Sequence, residues 1–411
     1  MPPTRSRSGL GARRRGPKRA GRRLAACFLA LACIGVAVAA CAPDRPSASG
    51  SPSPGSATPT ASPTPTPTVD PIAALTLEQR VGQLFMVGTS VRGADPATLS
   101  AIADRHAGSI FLHGRSQAGV DATASLVRSF TSLVSPATTG DEPLWVATDQ
   151  EGGQVQVLQG PGFDRIPSAL AQGAMPPDQL ASQARTWGGQ LGMAGVNMNL
   201  APVADIVTSP ATAHSNAPIG ALQREYGFDE STVETHAGAF ADGMRAAGVV
   251  PTFKHFPGLG RVTGNTDFDA GIVDDTVDAS APDVDAFRRL TAGPGVSTVM
   301  LSTAIYTKID PSTPAVFSRT VVTDLLRDRV GFDGVIMTDD VSATAQVKAW
   351  SPADRAVLSI QAGVDVVLVS ADPSVYAPMY DAVLAKAKAD PGFAKQVDDA
   401  ARRVVEAKAR G

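Results

Sequence analysis

Eight short apolar runs alternate with helix-like stretches between residues 70 and 411, and this alternation restricts the possible folds more than any other feature of the chain. Strands that alternate with helices usually form a parallel sheet, because each helix returns the chain to the same edge. Eight units over about 340 residues fit a single (β/α)8 TIM barrel with enlarged loops, and a doubly wound open sheet is the rival architecture. The predicted strands are residues 81–87, 107–112, 144–148, 196–200, 249–255, 298–302, 334–338 and 364–369.

The positions of polar residues favour the barrel over the open sheet. Barrel enzymes carry their chemistry at the carboxyl ends of the strands. The polar residues at or just after the ends of the predicted strands are Asp149, Asn199, Lys254, His255, Ser302 and Asp339. The clearest predicted helices are residues 232–247, 318–330, 380–389 and 397–408. We therefore predict one α/β barrel domain over residues 70–411, with a functional site at this end.

The first 40 residues have the order of an export signal: residues 5–23 are strongly basic, and residues 24–40 are apolar and end in small side chains. Val38-Ala39-Ala40-Cys41 resembles the lipobox of bacterial lipoproteins, which implies a lipidated Cys41 as the mature N-terminus. A transmembrane helix is the alternative, but the run is shorter than the roughly 20 residues that a span needs. We expect a protein anchored to the outer face of the cytoplasmic membrane.

Residues 41–69 consist almost entirely of Ser, Pro, Thr, Ala and Gly, a composition that cannot bury enough apolar surface to fold, so we predict a linker. Cys27 and Cys33 lie in the segment that would be removed, which leaves no disulfide for the folded domain.

The net charge is −3 although residues 5–23 are basic, so the remainder is acidic and nucleic acid is not an expected partner. We expect a monomer.

The most specific motif is Lys254-His255-Phe256-Pro257-Gly258-Leu259-Gly260, at the end of the fifth predicted strand. Adjacent strand residues point to opposite faces, so Lys254 and His255 meet one ligand only if the strand is ending there. Spacing alone also permits a solvent-facing lysine beside a histidine in the core. The other four histidines show no zinc-ligand spacing, and we expect no metal and no cofactor.

This motif resembles the Lys-His-Phe-Pro-Gly-His-Gly signature of the bacterial β-N-acetylglucosaminidases in glycoside hydrolase family 3. Four further segments resemble elements of this family in the same order. In one of them, residues 219–227, two extra residues separate the two matching parts, residues 219–220 and 224–227. The matching segments are residues 148–153, 199–205, 219–227, 254–260 and 334–340. The resemblance extends over the whole predicted barrel.

The resemblance implies roles for five residues. Asp339 corresponds to the nucleophile of a retaining mechanism, which needs one carboxylate beneath the anomeric carbon and one proton donor near the leaving oxygen. Asp149, Arg224, Lys254 and His255 correspond to residues that bind sugar hydroxyl groups, for which charge-assisted hydrogen bonds are well suited. The alternatives are a loop-capping Asp339 and an ion-pair network at the barrel rim.

The proton donor is where the sequence departs from this family. The family carries Asp-Ser-His after the glycine-rich signature, and its histidine is the acid/base; the same spacing here gives Asn265-Thr266-Asp267, and Leu259 replaces the signature's second histidine. An aspartate donates a proton near neutral pH if its pKa is raised above about 4. Asp267 is the acid/base candidate and Asp269 the reserve, with a turn-stabilising role as the alternative.

We therefore expect an exo-acting, retaining β-N-acetylglucosaminidase that hydrolyses terminal β-linked GlcNAc from peptidoglycan-derived GlcNAc-MurNAc fragments. The glycosyl group could be transferred to phosphate or to water. A carboxylate acid/base would repel phosphate, so we expect water as the acceptor. Gln154 replaces a common family arginine, so one polar contact is in doubt. Two alternatives stay open: a catalytically silent sugar-binding lipoprotein, and a β-glucosidase-like hydrolase, whose relatives generally take the acid/base from an additional C-terminal domain.

Overall fold

The computed structural model describes residues 70–411, which include the whole predicted barrel domain. Their central element is a ring of eight parallel strands, in the order β7-β6-β5-β4-β3-β2-β1-β8, and a parallel bridge between Met337 and Val366 closes it. The strands are β1 Phe85–Ser90, β2 Ser109–His113, β3 Trp145–Thr148, β4 Met198–Asn199, β5 Val250–Phe256, β6 Thr298–Leu301, β7 Val335–Thr338 and β8 Val367–Val369. The (β/α)8 prediction is confirmed and the open sheet is excluded.

Helices surround the ring. They are α1 Leu77–Gln83, α2 Pro96–Arg105, α3 Gly119–Thr131, α4 Ala169–Gln172, α5 Pro177–Met193, α6 Glu230–Ala246, α7 Pro282–Thr291, α8 Pro352–Ala362, α9 Tyr376–Ala389 and α10 Pro391–Arg410. A further helix, Thr320–Arg329, is wound as a π-helix. None of the helices described for residues 70–411 is long and apolar enough to cross a membrane. The predicted signal peptide, Cys41 and the linker lie outside the described residues.

The first predicted strand, residues 81–87, is wrong in its first half. Its beginning belongs to α1, which a capping box starts: Thr76 Oγ1 accepts from the Gln79 amide at 3.2 Å, and Gln79 Oε1 accepts from the Thr76 amide at 3.0 Å. The strand begins only at Phe85. Residues 81–87 are all buried, so the sequence pattern does not show where the helix ends and the strand starts.

Side chains alternate across each strand and so fill two cores. In β1, Met86 belongs to the cluster inside the ring, whereas Phe85 and Val87 belong to the larger cluster between strands and helices. Val404 and Ala407 of α10 join the inner cluster. Because α10 thereby covers the amino-terminal end of the barrel, the carboxyl-terminal end is left for a ligand.

The seam between β7 and β8 depends on one buried carboxylate. Asp365 is fully buried and accepts hydrogen bonds from the Ile336 amide at 2.8 Å, Arg327 Nη2 at 2.8 Å and Arg403 Nη1 at 2.7 Å. It therefore joins the seam to the π-helix and to α10. Removing this carboxylate would leave two guanidinium groups without their shared partner.

Asp365→Ala is expected to lower the free energy of unfolding by about 3–5 kcal/mol, because breaking a buried ion pair leaves uncompensated charge. Asp398→Ala is the matched control, since Asp398 makes a partly exposed pair with Arg80 at 2.9 Å and should lose less than about 1 kcal/mol. Urea denaturation followed by circular dichroism measures both. Equal losses in the two variants would contradict the importance of Asp365 for ring closure.

Candidate active site

A cavity of about 390 Å³ opens at the carboxyl-terminal end of the barrel. Its lining includes all six predicted catalytic and substrate-binding residues, namely Asp149, Arg224, Lys254, His255, Asp267 and Asp339. They come from five separate stretches of the chain, and the parallel strands bring them to one end. The fold thus assembles the predicted set in one place, while the role of each residue remains a prediction.

Lys254 and His255 both line this cavity although they are adjacent in β5. The pairing of β5 with β6 shifts register between Lys254 and Phe256, and a bulge of this kind re-aims a side chain. The Lys254–His255 peptide bond is cis. Lys254 is 2% exposed and His255 is 5% exposed, so the alternative of a solvent-facing lysine is wrong.

A network of four charged groups supports one wall of the cavity: Lys254 and Glu151 are buried, whereas Asp149 and Arg224 are partly exposed. Lys254 Nζ lies 2.7 Å from Asp149 Oδ1 and 2.6 Å from Glu151 Oε1, and Arg224 binds Glu151 through Nε at 2.8 Å and Nη2 at 2.7 Å. Burial opposes ionisation of both Glu151 and Lys254. Arg224 and Lys254 nevertheless lower the pKa of Glu151 to about 2, and Asp149 and Glu151 raise the pKa of Lys254. Glu151 and Lys254 are therefore both charged at neutral pH.

His255 is held by a second buried carboxylate, Asp205. The His255 Nδ1 and Asp205 Oδ2 atoms are 2.7 Å apart, and Asp205 Oδ1 accepts from the backbone amides of His255 at 3.2 Å and Leu259 at 2.7 Å. This arrangement fixes the ring orientation and leaves Nε2 as the nitrogen available to a ligand. Leu259, which replaces the signature's histidine, is 1% exposed and also lines the cavity.

Sequence reasoning missed Glu151 and Asp205 as site residues, although both stand inside matching motifs. Glu151 is 3% exposed and Asp205 is fully buried. Acidic side chains are almost never buried without a partner. The available signal was their position shortly after predicted strands. Side chains there converge on the site, where a buried acid needs a lysine, an arginine or a histidine as its partner.

Asp339 lies just past the end of β7, where it is partly exposed and lines the cavity. Burial raises the pKa of Asp339, and the nearby His255 and Lys254 oppose this rise. The adjacent Asp340 stabilises the loop, since its Oδ1 accepts from the Ser342 amide at 3.0 Å and the Ser370 amide at 2.8 Å. Asp339 Oδ1 accepts only from the Asp340 amide, at 2.7 Å, among the described residues. The loop-capping role therefore belongs mainly to Asp340.

Asp267 reaches the same cavity from the loop after β5. The residue as a whole is solvent-exposed, but its carboxyl group is crowded by the cavity wall; this desolvation, with the Asp339 and Asp340 carboxylates, raises the pKa of Asp267 to about 6. Asp269 does not line the cavity, and its Oδ2 accepts from the Asn265 amide at 3.2 Å. The geometry favours Asp267 over Asp269 as a proton donor.

The cavity thus brings the carboxyl groups of Asp267 and Asp339 together with the cations Lys254 and Arg224. A carboxyl group with a raised pKa can donate a proton at mildly acidic pH, and an ionised one can act as a nucleophile. Gln154 is exposed and is not part of the cavity lining. Within residues 70–411, no group of three or more His, Cys, Asp or Glu side chains is arranged to hold a metal ion.

Comparisons with known proteins agree on a family. The Glycosyl hydrolase family 3 N terminal domain matches residues 76–407. The beta-hexosaminidase LpqI of Mycobacterium tuberculosis is 33% identical over 304 residues, which cover 72% of this chain and 74% of that protein. An uncharacterized secreted glycosyl hydrolase of Arthroderma benhamiae is 35% identical over 247 residues, which cover 57% of this chain and 65% of that protein.

A solved structure is more similar still. The crystal structure of a beta-N-acetylhexosaminidase from Beutenbergia cavernae superposes with a TM-score of 0.80 at 60% identity, and the match covers 82% of this chain and 99% of that chain. These matches confirm the resemblance seen in the sequence motifs. The chain belongs to glycosyl hydrolase family 3, and it is a glycoside hydrolase built on the barrel domain of that family.

Proposed function

We propose that this enzyme is an exo-acting β-N-acetylglucosaminidase that removes terminal β-linked GlcNAc with retention of configuration. The observation that carries this proposal is the pair of carboxyl groups, Asp339 and Asp267, that line one cavity and have raised pKa values. The names of the similar proteins from Mycobacterium tuberculosis and Beutenbergia cavernae support a hexosaminide substrate.

The charged wall would seat the terminal sugar. Lys254, Arg224 and His255 offer hydrogen-bond donors to sugar hydroxyl groups, and Asp149 offers an acceptor. Because their ion pairs already hold these side chains, little conformational entropy is lost when the sugar binds. A cavity of about 390 Å³ is at the lower end of the range for small-molecule sites, which suits the end of a glycan chain and an exo mode of action.

The proposed reaction has two steps. Asp339 attacks the anomeric carbon and forms a glycosyl ester, while Asp267 transfers its proton to the leaving oxygen as the glycosidic bond breaks. Water then attacks the same carbon, its proton passes to Asp267, and the ester bond to Asp339 breaks. Asp267 in its ionised state would repel phosphate, which favours water as the acceptor.

The proposed setting is the cell wall. The export-type sequence of residues 1–40 and the lipobox around Cys41 support a lipoprotein on the outer face of the cytoplasmic membrane, and residues 41–69 would extend the domain toward the wall. A similar fungal protein is named as secreted. GlcNAc-MurNAc fragments released from peptidoglycan are the substrate that fits this placement, and the enzyme would act on them as a monomer.

Asp339→Asn is expected to lower kcat on nitrophenyl β-N-acetylglucosaminide by at least about 10³-fold, because an amide cannot form the glycosyl ester. Asp267→Asn should cost about 10²–10⁴-fold on a substrate with a poor leaving group and much less on the nitrophenyl substrate, whose leaving oxygen needs little protonation. Release of free GlcNAc and of nitrophenol measures both rates.

Asp269→Asn is the matched control, since this aspartate stands on the same loop but outside the cavity lining. Its rates should stay close to those of the wild type. If Asp269→Asn loses activity on the substrate with the poor leaving group and Asp267→Asn keeps it, Asp267 is not the proton donor. A wild type that binds GlcNAc but hydrolyses neither substrate would establish the silent sugar-binding alternative.

The pH dependence of kcat/KM should be bell-shaped. Asp267 must be protonated to donate, so activity should fall as the pH rises above its pKa of about 6. Asp339 must be ionised to attack, and its raised pKa should move the acid limb above the usual aspartate range. The two groups interact, so the limbs report the pair.

On the substrate with the poor leaving group, where protonation by Asp267 matters, the residual activity of Asp267→Asn should lack the alkaline limb and keep the acid limb. Initial rates at subsaturating substrate from about pH 4 to pH 9 measure this change. A wild-type profile that stays flat through pH 8 would contradict an acid role for Asp267.

A further inference from the structure

Phe268 is unusually exposed for an aromatic side chain. It is 80% exposed, more than any other large apolar side chain described for residues 70–411, and it lines the active-site cavity directly after Asp267. An aromatic ring stabilises a fold by burying a large apolar area, and the exposed ring of Phe268 makes no such contribution. Single exposed apolar side chains are common on protein surfaces, but Phe268 lines the cavity, and aromatic side chains are frequent in the lining of ligand sites.

The loop that carries Phe268 is anchored by hydrogen bonds both before and after this residue. The Ala345 amide donates to the Asp267 carbonyl at 3.2 Å, and the Gln346 amide donates to the Thr266 carbonyl at 3.2 Å. The Gln346 side chain also bonds the backbone of Ile272, at 2.8 Å to its amide and 3.0 Å to its carbonyl. Phe268 is therefore presented by a loop bonded to the segment that follows β7, where Asp339 lies.

The order of residues along this loop gives Phe268 a side of the cavity. In the proposed reaction Asp267 faces the oxygen that joins the terminal sugar to its leaving group. The terminal sugar lies inward, against Lys254 and Arg224, so the leaving group lies outward of Asp267. Phe268, the next residue, also lines the cavity and reaches its open mouth.

We propose that Phe268 is the platform on which the second pyranose ring, the ring of the leaving group, stacks. This inference rests on the proposed function and adds the leaving-group subsite to it. The C–H face of a pyranose is flat and apolar, and it matches the negative face of an aromatic ring. Asn265, on the same loop, also lines the cavity and supplies a polar group for the hydroxyls at the edge of that ring.

The test compares kcat/KM for a β-1,4-linked GlcNAc disaccharide with kcat/KM for methyl β-N-acetylglucosaminide, which lacks a second ring. Phe268→Ala is expected to lower the ratio of the two values about 5- to 10-fold, the size of one aromatic contact. Phe268→Trp should preserve the ratio, and Phe268→Leu should lower it, because a leucine is apolar but offers no flat face. Met193→Ala is the control, since Met193 is 64% exposed and is not part of the cavity lining.

Each other outcome has a distinct meaning. An unchanged ratio in Phe268→Ala would overturn the platform and leave the hexosaminidase proposal intact. Equal losses on both substrates would overturn it as well, because they would show that Phe268 only positions Asp267. If the wild type hydrolyses neither substrate, the proposed function fails and the leaving-group subsite fails with it.

Discussion

The contact of the Lys254 ammonium group with the carboxylates of Asp149 and Glu151, at 2.7 and 2.6 Å, is the interaction on which the site depends. Burying a charge is costly unless partners compensate it, so these groups must be assembled together. Arg224 completes the compensation through its two bonds to Glu151. The result is a charged wall that exists before any sugar arrives, and such pre-organisation lowers the entropy cost of binding.

The carboxyl groups in and behind the cavity lining have different environments. Glu151 stays ionised beside two cations, with a pKa lowered to about 2, whereas desolvation and the neighbouring carboxylates of Asp339 and Asp340 raise the pKa of Asp267 to about 6. A raised pKa makes an aspartate in this place compatible with general acid catalysis.

Sequence patterns predicted the eight-strand barrel, the carboxyl-end location of the site and the candidates Asp149, Arg224, Lys254, His255, Asp267 and Asp339, which now line one cavity. They failed at the start of β1, where a capped helix and a buried strand share one apolar run. They also passed over Glu151 and Asp205, because an acidic residue in a motif shows its partner only when the chain is folded. The predicted lipid anchor and linker precede the described residues and stay predictions.

The sequence by itself determined the order of strands and helices and the family motifs, because hydrophobic periodicity and residue spacing are local properties of the chain. Only the tertiary structure decided which charges pair and which carboxyl group has a raised pKa. Lys254 meets residues more than 100 positions away, and the loop of Asp267 is bonded to residues 345–346. A pKa depends on burial and on neighbouring charges in space, and both arise only when the ring closes and its carboxyl ends converge.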